Sequence, residues 1–200
     1  HGYLVKEDGL YCLGLGFLEL GYHTMYRHEV SQIAERKVEQ LAEETGERAQ
    51  FVIEERGEGV YVHLEGGVNA VSTDARIGKR INLTTAAAGK AILAYLPKER
   101  INDIVDEHGF EEQKQRAITD CEQLTEELKQ VRAQGYALNR GEHIDGLWGI
   151  GVPIFDPDDE VIGSISLGGP MNRIKPQLKS GDLKEKLIGV ANEIELDLAY

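Results

Sequence analysis

Two pairs of adjacent strand patterns, one in each half of the chain and each closed by its own turn signal, constrain the fold more than any other feature. In the first pair, Ala49 to Glu55 and Gly59 to Leu64 flank a turn at Arg56 to Glu58. Phe51 and Ile53 share one face, and Val60 and Val62 share one face of the partner, which predicts a half-buried antiparallel pair. In the second, Leu147 to Phe155 and Val161 to Leu167 flank Asp156-Pro157-Asp158-Asp159, a hairpin turn. Gly168-Gly169-Pro170 is expected to end that last strand sharply. Tyr136 to Asn139 is one more strand candidate, and Ala70 to Thr73 an extended path. Helical spacing appears from Leu15 to Met25 and from Val30 to Glu44, the latter with Ser31 near its cap and Gly46 at its end. A short helix follows Pro97 and closes at Gly109, another runs from Thr119-Asp120 to Gly135, and the last spans about Asp182 to Leu198. Strand pairs interrupted by helical blocks imply an α+β domain, with one mainly antiparallel sheet and helices on one or both faces.

Residues 77 to 97 join these halves. A basic turn runs into Thr84 and Thr85, then into a small-residue helix start at Ala86 to Gly89 that becomes amphipathic at Ile92, Leu93 and Leu96. Either threonine can cap the helix, and the exposed N–H groups of such a start favour an anion. The small residues either admit a ligand to the backbone or let the helix pack closely on a sheet. Gly89-Lys90 does not make a phosphate-binding P-loop, because Thr84 stands where that motif needs glycine and Ala91 where it needs Ser or Thr. Lys90 is therefore left as a surface or structural residue.

The chain is long enough for one sizeable core. Its 22 basic and 35 acidic residues give a formal charge of −13, a surface that repels phosphate and does not grip DNA or an anionic membrane by itself. Such acidity also suits a halophilic source. Cys12 and Cys121 form no CxxC pair, so neither a disulfide framework nor a zinc ribbon is indicated. The absence of an apolar run of membrane-spanning length and of a signal peptide points to the cytoplasm.

The chemistry of catalysis is sparse. No histidine sits in an HExxH or other metal-ligand spacing, and no metal or cofactor is expected. Glu142-His143, in a polar loop between strands, is the best acid–base candidate, with a self-bonded turn as its alternative. Gly163-Ser164-Ile165-Ser166-Leu167 does not make a nucleophile elbow. Trp148, among Gly146, Gly149 and Gly151, is either core filler or a pocket wall, with the wall favoured.

Four blocks taken together resemble a known family: Leu83-Thr-Thr-Ala-Ala-Ala-Gly-Lys-Ala-Ile-Leu-Ala-Tyr-Leu-Pro97; Arg132-Ala-Gln-Gly-Tyr136 through Glu142-His143; Pro153-Ile-Phe-Asp156; and Ile165-Ser-Leu-Gly-Gly-Pro170. Their order and spacing are similar to the effector-binding domain of IclR-type transcriptional regulators, over roughly residues 15 to 200. The resemblance implies a GAF-like fold, a mainly antiparallel sheet flanked by helices, with a small-molecule pocket between sheet and helix start. It implies an apolar lining of Ala70, Thr73, Ile77, Ile81 and Leu83, helix-start N–H groups at Ala87 and Ala88, and a strand side of Asn139, Trp148, Gly149, Ser166 and Gly168. Asn139 stands where the family often has an acid, Trp148-Gly149 where Arg-Cys is common, and Gly168 where a second serine is frequent.

The resemblance further implies that residues 1–13, a hairpin with Glu7-Asp8-Gly9 as its turn, are the tail of a winged-helix wing from a missing DNA-binding domain. The alternative is an N-terminal hairpin docked on the main sheet. Residues 14–28 would be a linker helix and 29–200 the effector-binding domain. The expected function is a ligand sensor, not an enzyme. A small organic acid, carbohydrate or aromatic catabolite would shift the state of a homodimer or homotetramer that touches DNA only through the missing domain. The competing readings are a small hydrolase using Glu142-His143, and an interaction module with a vestigial pocket.

Overall fold

A computed structural model describes residues 2–111 and 116–200. The chain opens with a two-stranded hairpin, β1 (Leu4–Glu7) and β2 (Leu10–Leu13), turned by Asp8 and Gly9, both at positive φ. Helix α1 (Gly16–Met25) follows, and neither it nor the hairpin contains a buried position except Gly14 between them. Helix α2 (Glu29–Thr45) is the first element with a buried face, and its Val30, Ala34, Val38 and Leu41 recur at helical spacing and are buried. Gly46 ends it in the left-handed conformation, as expected. Ser31 is buried but makes no side-chain cap; the N-cap is His28, also without a side-chain cap bond.

Strands β3 (Arg48–Glu55), β4 (Glu58–Gly66), β5 (Arg80–Asn82), β6 (Ala137–Arg140), β7 (Leu147–Phe155) and β8 (Val161–Pro170) form one sheet in the order β5-β4-β3-β8-β7-β6. All five pairings are antiparallel. The two sequence hairpins thus meet edge to edge through β3 and β8. The one-sided burial expected of the first pair is corrected here, because both faces of the sheet are covered. Phe51 packs with Ile150, Ile165 and Leu167 against α2, α6 (Met171–Ser180) and α7 (Asp182–Ala199), whereas Val52 packs with Tyr61, Ile81 and Ile92 on the other side. Successive side chains of a strand point to opposite faces, so Phe51 and Val52 address the two sides in turn, and the register shift with β4 at this point leaves Val62 of β4 as the extra residue.

The second face is covered by α3 (Ala87–Leu93), and beyond it by α4 (Lys98–His108) and α5 (Cys121–Gln134). Helix α3 is shorter than the sequence suggested and is buried at every position, so it has no solvent face to be amphipathic about. Its start is not capped by a threonine either. Thr84 donates to Asn82 Oδ1 (2.7 Å) and Thr85 to the Asn82 carbonyl (3.4 Å), so both hydroxyls are held by the preceding turn and Ala86 occupies the N-cap position. Asp120 does cap α5, accepting from the Gln123 N–H at 2.8 Å.

One further expectation is revised. Gly168-Gly169-Pro170 forms the last part of β8, where the strand was expected to stop before it. Helix α6 was not anticipated, because Pro176 interrupts its pattern and only Ile174 is buried.

Candidate functional site

Between α3 and the sheet lies a cavity whose floor follows from strand register. Arg48 on β3 pairs with Gly168 on β8, Gly168 with Gly149 on β7, and Gly149 with Asn139 on β6. Residues directly opposite in a sheet project to the same face. Two adjoining glycines therefore leave a trough with a long polar side chain at each end. A Cβ at Gly149 would meet the Ala87 side chain at 3.9 Å, which identifies this face as the one beneath α3. In the next row Gly151 is closer still: its Cβ would lie 2.7 Å from the Ala87 carbonyl carbon and the Ala88 nitrogen. Bare backbone at Gly151 thus lets the helix seat on the sheet, while bare backbone at Gly149 and Gly168 leaves space.

The cavity has room for about five waters, at roughly 10–15 Å³ of accessible volume each within ≈ 70 Å³. Apolar walls come from Val71, Ala75, Ile81, Ala86 to Ala88, Ile144 and Leu147, and polar groups from Arg48, Gln50, Tyr61, Thr73, Asp74, Lys79, Asn139 and His143. Burial pushes the Tyr61 hydroxyl up to about 12, with the nearby Asp74 carboxylate adding to the effect, so it stays protonated and able to donate. Lys79 bonds to Asp74 and holds that carboxyl below its ordinary range. Asn139 Oδ1 accepts from the N–H groups of Gly141 and Glu142 (2.9 Å each). This closes the polar turn that carries His143 and leaves the Asn139 Nδ2 as its remaining donor.

Of the residues the family resemblance pointed to, Thr73, Ile81, Ala87, Ala88, Asn139, Trp148, Gly149 and Gly168 touch the cavity. Ala70, Ile77, Leu83 and Ser166 are not in its lining. Ile77 is 54% exposed, and Leu83 lies in the separate core formed with α4 and α5. Ser166 is fully buried in the row between Gln50 and Gly151, and its hydroxyl has no hydrogen-bond partner. Trp148 reaches the cavity edge, yet its indole shares a face with Ile150, packs against the α2/α6/α7 core, and has Lys175 Nζ 5.6 Å from its ring centroid. The indole is therefore core filler on the opposite side of the sheet.

Sequence reasoning missed Arg48, Gln50 and Tyr61. Strand alternation could have found the first two, since they flank Ala49 and oppose the face that Ala49 and Phe51 bury. Lys90 is no surface residue: its side chain is 1% exposed and bonds to Glu142 and to Glu127 (2.9 Å). Glu142, the imagined acid–base partner of His143, is thus committed to an ion pair that ties the 141–147 loop to α3.

Among the described residues no cluster of three or more His, Cys, Asp or Glu is placed to hold a metal, and no helix is long and apolar enough to cross a membrane.

Residues 22–196 match the family model described as "Bacterial transcriptional regulator IclR C-terminal". The chain is 30% identical over 200 residues to the HTH-type transcriptional regulator KipR of Bacillus subtilis, covering 100% of this chain and 80% of that protein. It is 31% identical over 194 residues to the "Probable HTH-type transcriptional regulator ArcR" of Halobacterium salinarum, covering 96% and 74%. A crystal structure of an IclR homolog from Microbacterium hydrocarbonoxydans, complexed with 4-hydroxybenzoate, superposes with a TM-score of 0.85 at 26% identity over 99% of this chain and 80% of that one. The glycine-floored cavity beneath a buried small-residue helix therefore sits in a shared fold, and this chain belongs to the IclR family of transcriptional regulators, with an effector-binding domain over most of its length.

Proposed function

We propose that the chain is the sensor half of a DNA-binding regulator and that a small metabolite occupies the cavity between α3 and the sheet. The observation that carries this is the Gly149–Gly168 floor. Two side chains are missing from adjacent strands at the one place where polar groups converge under α3, and close packing elsewhere leaves few such gaps. The 4-hydroxybenzoate held by the Microbacterium hydrocarbonoxydans homolog supports a ligand of metabolite size. Within this reading residues 1–13 are the tail of a DNA-binding wing, 14–28 a linker helix, and 29–200 the effector domain. Phe17, Leu18, Leu20 and Tyr22 on α1 are all 46% exposed or more, a suitable surface for a second copy in a dimer or tetramer. Bound effector would favour one of two arrangements, and the linker would pass that preference to the DNA-binding part. In this reading the protein works in the cytoplasm and binds its ligand without turning it over, and the Glu142 carboxylate that a Glu142–His143 hydrolase would use is held by Lys90.

The test is mass spectrometry of the chain purified under gentle conditions, then denatured. A stoichiometric small molecule released from the wild type and absent from Gly168→Leu supports the cavity. The same molecule released equally from both would contradict it.

A further inference from the structure

One side chain in the cavity row has no counterpart in the functional residues considered so far. Arg48 lies between Gly66 on β4 and Gly168 on β8, so it has no side-chain neighbour on either adjoining strand at its own level. Its Nη2 donates to the Val71 carbonyl at 2.8 Å, which anchors the guanidinium against the wall of the cavity it lines. Its Nε is buried and has no hydrogen-bond partner, and no carboxylate forms an ion pair with it among the described residues. The other formal charges in the lining cancel, because Lys79 is paired with Asp74. A positive charge in a chain of net −13, fixed in place by the Val71 carbonyl and without an ion-pair partner among the described residues, calls for an anion. At the opposite end of the row Asn139 has committed its oxygen to the 141–143 turn and presents a donor, and Ser166 beneath carries an unpartnered hydroxyl.

We propose that Arg48 is the residue that determines effector specificity: it selects a small carboxylate whose acid group pairs with the guanidinium while its body lies over the Gly168–Gly149 floor. This rests on the sensor reading and adds to it the charge of the ligand and the residue that recognises it. A carboxylate is favoured over a phosphate because Nη2 is already engaged by the Val71 carbonyl, which leaves a guanidinium with donors for two oxygens rather than for the larger set a phosphate presents.

The experiment is calorimetric titration of the purified chain with matched acid and amide pairs: acetate and acetamide, lactate and lactamide, benzoate and benzamide, 4-hydroxybenzoate and 4-hydroxybenzamide, with inorganic phosphate alongside. Wild type, Arg48→Met and Arg48→Lys are compared, each first checked for an unchanged thermal unfolding profile. At least one acid should bind about tenfold or more tightly than its amide. Arg48→Met should abolish that preference without weakening the amide, and Arg48→Lys should restore part of it. Because Arg48 also bonds Val71, a general loosening of the site would weaken acid and amide alike, and that outcome overturns the specificity role. Amides that bind as well as acids, or phosphate that binds in place of them, overturn the role of Arg48 while leaving the sensor reading intact. If neither acids nor amides bind, both readings fail together.

Discussion

Lys90 illustrates how a residue with an exposed reputation becomes structural. A fully buried ammonium survives only where carboxylates meet it, and Glu142 and Glu127 do so from a strand loop and from α5. Removing one partner strands the other. Lys90→Met should therefore cost about 3–5 kcal/mol in urea unfolding, and adding Glu142→Gln should recover part of the loss. An unchanged midpoint in the single variant would show that water relieves the pair. His63, 3% exposed beside Phe51 and Tyr26, is a second buried titratable group. Burial pushes its pKa below the ordinary value, against weaker opposing effects of Glu35, the Ser31 backbone and Glu39. The folded state then binds fewer protons than the unfolded one between the two pKa values. Stability is fully present above about pH 6.5, the unfolded value, and falls as pH drops toward the lower folded value. Unfolding free energies measured across that window should decline in the wild type more than in His63→Gln; parallel curves would exclude His63 as the cause.

At the scale of elements, the position of α3 depends on missing side chains. Gly151→Ala would push a methyl to within 2.7 Å of the Ala87 and Ala88 backbone, which has no rotamer by which to yield. The expected cost is about 1–3 kcal/mol, measurable by chemical denaturation, with a shifted α3 visible in a crystal structure of the variant. A neutral substitution would mean that α3 floats on the sheet. The elements themselves were largely legible, because period-2 and period-3.6 patterns carried β3, β4, β7, α2, α5 and α7 to within a residue or two of their observed bounds. What the patterns could not carry was burial from two directions. Helix α3 lost its apparent amphipathicity because α4 and α5 cover the side away from the sheet, and of the two readings open for Trp148, core filler and pocket wall, the parity it shares with Ile150 favours the first for its indole although the residue also touches the cavity. Helix α6 was hidden by Pro176. At the site, the small residues Ala87, Ala88, Gly149 and Gly168 were legible through family resemblance. Arg48 was not, because its significance comes from a register that joins β3 to the consecutive strands β6, β7 and β8 much later in the chain.

For the molecule as a whole, a ligand that binds only the folded state must stabilise it, so the cavity makes a thermodynamic prediction that these residues can answer by themselves. Gly168 is the place to interrogate it. A Cβ there meets nothing nearer than the Trp148 carbonyl at 3.7 Å, and its φ is not positive, so a leucine side chain would fill the trough without straining the backbone. The deciding measurement is a thermal-shift screen of the wild type and Gly168→Leu against small carboxylates, sugars and aromatic acids. The account predicts at least one ligand that stabilises the wild type, by about 2.7 kcal/mol at a hundredfold excess over its dissociation constant, and leaves Gly168→Leu unmoved. Equal stabilisation of both proteins, or none of the wild type by any compound, would contradict it.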